Sequence, residues 1–103
     1  MSQEKILIIE DDTFVLKMLN DHLVEAGYDT EQAQDGEEGI RMAKEGSPDL
    51  IILDLTLPKI DGMEILRVLR SNPDTEKLKV FVLSNNSQDA TIKQAIKLGI
   101  EGY

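Results

Sequence analysis

The run Leu50-Ile51-Ile52-Leu53-Asp54 constrains the fold more than any other stretch of the chain. Its aliphatic residues follow one another without polar alternation, which predicts a strand buried on both faces, as in a parallel sheet flanked by helices. The run then meets a carboxylate. A buried charge is costly, so Asp54 is expected at the solvent-facing carboxyl edge of the sheet, where open α/β folds hold ligands and reactive groups. Asp54 is therefore the first candidate for a reactive residue, against the plainer reading of a strand-end acid satisfied by backbone N–H groups.

Lys5-Ile6-Leu7-Ile8-Ile9 repeats the pattern, rich in β-branched residues and ending in Glu10, Asp11 and Asp12. Val15, Leu16, Leu19 and Leu23 then fall at helical spacing, predicting a helix capped by Asp12 or Thr13 and stopped near Gly27. Tyr28 to Gln34 alternates only partly and predicts a weak strand. Gly39, Ile40 and Ala43 mark the inner face of a short helix ended by Gly46-Ser47-Pro48. After a loop from Pro58 to Gly62, Ile65, Leu66, Val68 and Leu69 give a third helix closed by Asn72-Pro73-Asp74. Val80 to Leu83 predict a fourth strand ending at polar Ser84. Ile92, Ala95 and Ile96 fit a fourth helix, capped by Ser87 and stopped by Gly99, after which Ile100 to Tyr103 turn extended.

Strands alternating with helices predict a doubly wound parallel sheet with right-handed crossovers. The carboxyl edges of such a sheet share one crevice, so Glu10, Asp11, Asp54 and Ser84 are expected to converge.

At 103 residues the chain is expected to form one small domain, residues 1–103, burying roughly two-thirds of its unfolded surface. Cysteine is absent, which removes disulfides, thiolate metal sites and thiol nucleophiles. Twenty acidic against eleven basic residues, a formal charge of −9, disfavour direct nucleic-acid binding and favour cations or basic protein surfaces. No stretch approaches the roughly 20 apolar residues of a membrane span, so a cytoplasmic location without membrane contact is expected.

Clustered carboxylates repel one another unless a cation neutralises them. Oxygen donors without His or Cys suit magnesium, with manganese tolerated. An Asp beside such an ion can attack phosphorus, and phosphoryl transfer to Asp54 would also draw on the Ser84 hydroxyl and on a nearby ammonium.

The segments Ile6-Leu7-Ile8-Ile9-Glu10-Asp11-Asp12, Asp54 with Leu57-Pro58-Lys59-Ile60-Asp61-Gly62, Val82-Leu83-Ser84, and Leu98-Gly99-Ile100-Glu101-Gly102-Tyr103 together resemble the receiver domain of two-component response regulators. They occur in family order over the whole chain. The resemblance implies a flavodoxin-like fold of strand order 2-1-3-4-5, an order that members of this family share with flavodoxin. It implies that Asp54 accepts a phosphoryl group from a phosphohistidine on a sensor histidine kinase or phosphotransfer protein. It also implies that Asp11 ligates the metal directly, Glu10 through water, and Thr56 through its backbone carbonyl. Ser84 would contact the phosphoryl group, and Tyr103 would report activation by its rotamer. The domain is expected to act as a phosphoacceptor that assists its own phosphorylation and dephosphorylation, not as a turnover enzyme.

Two departures stand out. The family's Lys-Pro after the aromatic and its fifth helix are not in the sequence, so a C-terminally truncated domain is expected, with an incomplete last strand; Lys59 lies in the wrong motif to substitute. Asn85 stands where relatives carry a small residue. Loss of the last strand and helix is expected to leave the fourth strand as an open edge and to expose part of Ile6, Ile8, Ile51 and Val82. A homodimer or swapped oligomer through that edge follows.

Several readings stay open at this point. Asp12 fits a cap as well as a metal contact, Ser84 a turn, and Tyr103 simple packing. Phe14 and Met18 fit the core edge or a kinase-docking surface, and His22 reads as a solvated residue. An enzyme of the haloacid-dehalogenase type, with Asp54 as nucleophile, would want a second acid two residues on, where Thr56 stands. A flavin carrier would want a glycine- and hydroxyl-rich loop where Glu10-Asp11-Asp12 would repel phosphate. The serious alternative is an interaction and dimerisation module of receiver fold with impaired phosphorylation.

Overall fold

The computed structural model describes residues 4–54 and 62–83. Their order is β1 (Lys5–Ile9), α1 (Thr13–Glu25), β2 (Asp29–Ala33), α2 (Gly36–Gly46), β3 (Leu50–Asp54), α3 (Gly62–Ser71) and β4 (Lys79–Leu83). The strands form one parallel sheet of order β2-β1-β3-β4, which agrees over these four strands with the order that the family resemblance implies. The expected helix around Ile92 and the extended segment at Ile100 to Tyr103 lie outside the described residues.

Register explains the core. Leu7 pairs with Ile51 and Ile9 with Leu53, while Ile51 pairs with Val80 and Leu53 with Val82. These residues share one face of the sheet and are buried against Ala43 of α2 and Met63, Leu66 and Leu69 of α3. Ile6 and Ile8 point the other way, beneath Leu16 of α1, with Leu19, Leu23, Leu50 and Ile52 packed around them. Each fully buried Ile or Leu contributes about 1.5–3 kcal/mol, so the two aliphatic strands anchor the fold.

That alternation corrects one expectation. Ile6, Ile8, Ile51 and Val82, expected to be partly exposed, are 2%, 0%, 0% and 1% exposed. Ile51 and Val82 lie on the α2 and α3 face, and Ile6 and Ile8 lie under α1. Among the described residues of the sheet, Phe81 is left open on the α1 side, at 41% exposure, beside half-buried Leu50 and Ile52.

The helix ends follow local chemistry. Asp12 caps α1, and at its far end the Tyr28 N–H donates to Leu23 and the Gly27 N–H to Val24, with Gly27 at φ 100°. That pair of bonds needs a left-handed residue, which Gly adopts without strain. Asp35 caps α2 by accepting from the Glu38 N–H at 2.9 Å. The starts of β1 and β3 are tied by Asp49, whose carboxylate and N–H bond the Lys5 N–H and carbonyl, both at 2.8 Å. Between α3 and β4 the Thr75 hydroxyl is buried and donates to the Leu69 carbonyl at 2.6 Å.

Candidate functional site

The site grows from the ends of the two central strands. Because β1 and β3 are parallel with Ile9 opposite Leu53, Glu10 and Asp54 come in phase with each other, on the side of Ile8 and Ile52. Parallel neighbours lie about 4.8 Å apart, so their carboxylates meet. The Glu10 N–H donates to the Ala33 carbonyl at 3.0 Å, fixing this strand end on β2 as well. Glu10, Asp11 and Asp54 each offer an oxygen, and these atoms all lie within 4.8 Å of one another.

Glu10 and Asp54 are only 3% and 6% exposed, and Asp11 is half-buried. Asp54 is thus recessed, where the sequence placed it on the solvent-facing rim. It packs beside Glu10 at the strand ends, so Asp11 is the group through which the cluster meets solvent.

Burial, above all, pushes the Glu10 carboxyl up from 4.5 to about 8. A hydrogen bond with Asp54, the Asp54 charge and a side-chain hydrogen bond with Asp11 act in the same direction, while the Asp11 N–H, donating to Glu10 Oε2 at 3.0 Å, opposes them. Without a cation, the crowded pair of Glu10 and Asp54 therefore favours keeping a proton well above the usual carboxylate range.

These donors fit a hard divalent ion. Six-coordinate magnesium, with ligands at about 2.0–2.1 Å, sets neighbouring oxygens about 3 Å and opposite ones about 4 Å apart. The cluster needs only a small contraction, or one bridging water, to meet that geometry. Imidazole and thiolate are absent from it, and an all-carboxylate set of this kind is the donor chemistry that suits magnesium and manganese.

Of the other residues singled out by sequence, Thr56, Ser84 and Tyr103 lie outside the described residues, as do Lys59 and Asn85. Asp12 stays out of the cluster and caps α1. His22 is exposed as expected. Phe14 and Met18 are 76% and 52% exposed, which overturns the core-edge reading, while Leu16 of the expected inward stripe is buried. Each of the acids that meet at the site, Glu10, Asp11 and Asp54, stands at the end of an apolar strand run in the sequence.

Comparison with known proteins follows the same lines. Residues 6–103 match the family described as response regulator receiver domain. The transcriptional regulatory protein YcbL of Bacillus subtilis is 38% identical over 90% of this chain, which covers 39% of that protein. The chain spans about two-fifths of the length of this and several other curated regulators that it matches. The phosphorylated cyanobacterial phytochrome response regulator RcpA superposes with a TM-score of 0.87 at 30% identity, over 99% of this chain and 79% of that one. The manganese-bound response regulator Rcp1 gives 0.85 at 27% identity, over 97% and 78%.

Proposed function

The chain belongs to the response regulator receiver family, and from that membership we propose that it is a phosphorelay receiver whose phosphoacceptor is Asp54. The observation that supports this most is the meeting of Glu10, Asp11 and Asp54 at one point, from segments far apart in sequence. In this reading a phosphohistidine on a sensor histidine kinase or phosphotransfer protein is the donor. An Asp54 carboxylate oxygen attacks phosphorus, the new O–P bond forms as the P–N bond breaks, and the imidazole leaves with the electron pair of that bond. Hydrolysis of the resulting acyl phosphate by water regenerates the carboxylate.

Asp11 and Asp54 would hold magnesium directly, Glu10 through water, and Thr56 through its carbonyl. The ion, when bound, supplies positive charge that offsets the repulsion between the carboxylate and the phosphoryl oxygens. With such an ion in place the negative charge of buried Glu10 would be compensated, which would favour its ionised form. Ser84 would donate to a phosphoryl oxygen, and Tyr103 would follow the switch. RcpA is known in a phosphorylated form and Rcp1 with manganese bound, which supports both parts of the reading.

The test is incubation with magnesium and a small phosphodonor, followed by intact mass. The expected result is a gain of one phosphoryl group that disappears in Asp54→Asn. No gain in the wild-type chain would instead favour an interaction module of receiver fold. The open Phe81 on the α1 side supports self-association as part of either reading, a homodimer that covers this face. A charge of −9 favours protein partners over nucleic acid. Among the described residues no helix is long and apolar enough to cross a membrane, and a cytoplasmic site of action is proposed with the phosphorelay role.

A further inference from the structure

Asp12 is the third acid after β1, yet it is the one that does not join the cluster of Glu10, Asp11 and Asp54. Its carboxylate is engaged elsewhere: Oδ1 accepts from the N–H groups of Phe14 at 2.9 Å and Val15 at 3.2 Å. Its carbonyl accepts from the Leu16 N–H at 2.9 Å, the first bond of α1. On the other side, the Glu10 N–H is fixed to the Ala33 carbonyl at 3.0 Å, and the Asp11 N–H donates to the Glu10 carboxylate at 3.0 Å. Asp11 is thus a single residue strung between an anchored strand end and an anchored helix start.

We infer that Asp12 is a positioning residue: by capping α1 it fixes the backbone from which Asp11 presents its carboxylate to a divalent cation. It does so as a hydrogen-bond acceptor, without contributing a ligand atom or a needed charge. The inference rests on the reading that the cluster holds such an ion. If the cap is lost, two N–H groups of the first turn lose their acceptor, the turn frays, and the fray begins one residue from Asp11. A rigid octahedral ion tolerates little displacement of a ligand, so the loss is felt as affinity.

The test compares Asp12→Ala, Asp12→Ser and Asp12→Asn in the full chain by two measurements, Mn2+ titration and amide hydrogen exchange of the metal-free protein. Ser and Asn both cap helices but carry no charge. Asp12→Ala is expected to weaken Mn2+ binding about tenfold, the low end of what is lost when a group orienting a metal ligand is removed. It should also speed exchange at Asp11 along with Phe14 and Val15. Ser and Asn are expected to hold both readouts within about twofold of wild type, because their side chains restore the acceptor. Equal weakening of Mn2+ binding in all three variants would overturn the inference by making Asp12 a ligand or a required charge. Wild-type behaviour of Asp12→Ala in both measurements would overturn it by leaving the cap without effect. A wild-type chain that takes up no Mn2+ refutes the cation site itself, and the Asp11 exchange rate then still decides the rest: unchanged in Asp12→Ala, it overturns the positioning role; accelerated and rescued by Ser, it upholds it.

Discussion

At Glu10 the fold places a carboxyl where ionisation is unfavourable, and the consequence has a definite sign. With its pKa raised from 4.5 to about 8, the folded chain keeps a proton across that window which the unfolded chain has already released. Stability of the metal-free protein should therefore fall as pH rises from about 5 to about 8, by an amount on the order of a few kcal/mol. Thermal melting in chelator across this range tests it, with Mg2+ expected to restore stability most at the alkaline end. Glu10→Gln should flatten the pH profile, because the amide neither ionises nor repels Asp54, and should weaken the response to Mg2+. An unaltered pH profile in that variant would contradict this account. The identities of Glu10, Asp11 and Asp54 as site residues were legible in sequence because each follows an apolar run whose only wet end is the sheet edge. Their depth was not, since it depends on neighbouring strands packing two acids side by side.

Between elements, the tightest constraint lies where α2 crosses β1. A Cβ built on Gly39 would stand 2.6 Å from Cδ1 of Ile9 and 2.9 Å from its Cγ1, inside the buried core. Gly39→Ala should push α2 off the sheet and destabilise the chain by about 1–3 kcal/mol. Ile9→Val, by removing Cδ1, should recover part of that loss in the double variant, and denaturant titration of the single and double variants measures it. Because Ile9 immediately precedes Glu10, the single variant should also weaken Mg2+ binding. The strands themselves were readable to different degrees. β1 and β3 announce themselves as unbroken aliphatic runs, whereas β2, Asp-Thr-Glu-Gln-Ala, is polar because it is an edge strand with only its last residue fully buried. Which face each β3 or β4 side chain takes required the register, and this is why Ile51 and Val82 were expected on the wrong side. For α1, spacing identified the inward stripe but could not tell a flank from open solvent, and Phe14 and Met18 fall in solvent.

Across the described residues, the sheet has one well-covered face and one on which α1 leaves Phe81 in contact with water beside Leu50 and Ile52. Exposed apolar surface of this kind favours association between copies. Light scattering should show a mass above the monomer at micromolar concentration, and Phe81→Ser should shift it toward the monomer without loss of the Mg2+ response; a wild-type chain that stays monomeric would remove self-association from the account. Under the proposed function, the ends of β1 and β3 build one cation site around Asp54. Paramagnetic broadening by Mn2+ in a heteronuclear NMR spectrum tests this. The first equivalent of Mn2+ is expected to erase the amide signals of Glu10, Asp11 and Asp54 together, and Asp54→Asn to weaken the effect. Broadening that instead begins at the acidic first turn of α2, at Glu37 and Glu38, with the β1 and β3 ends untouched, would contradict it.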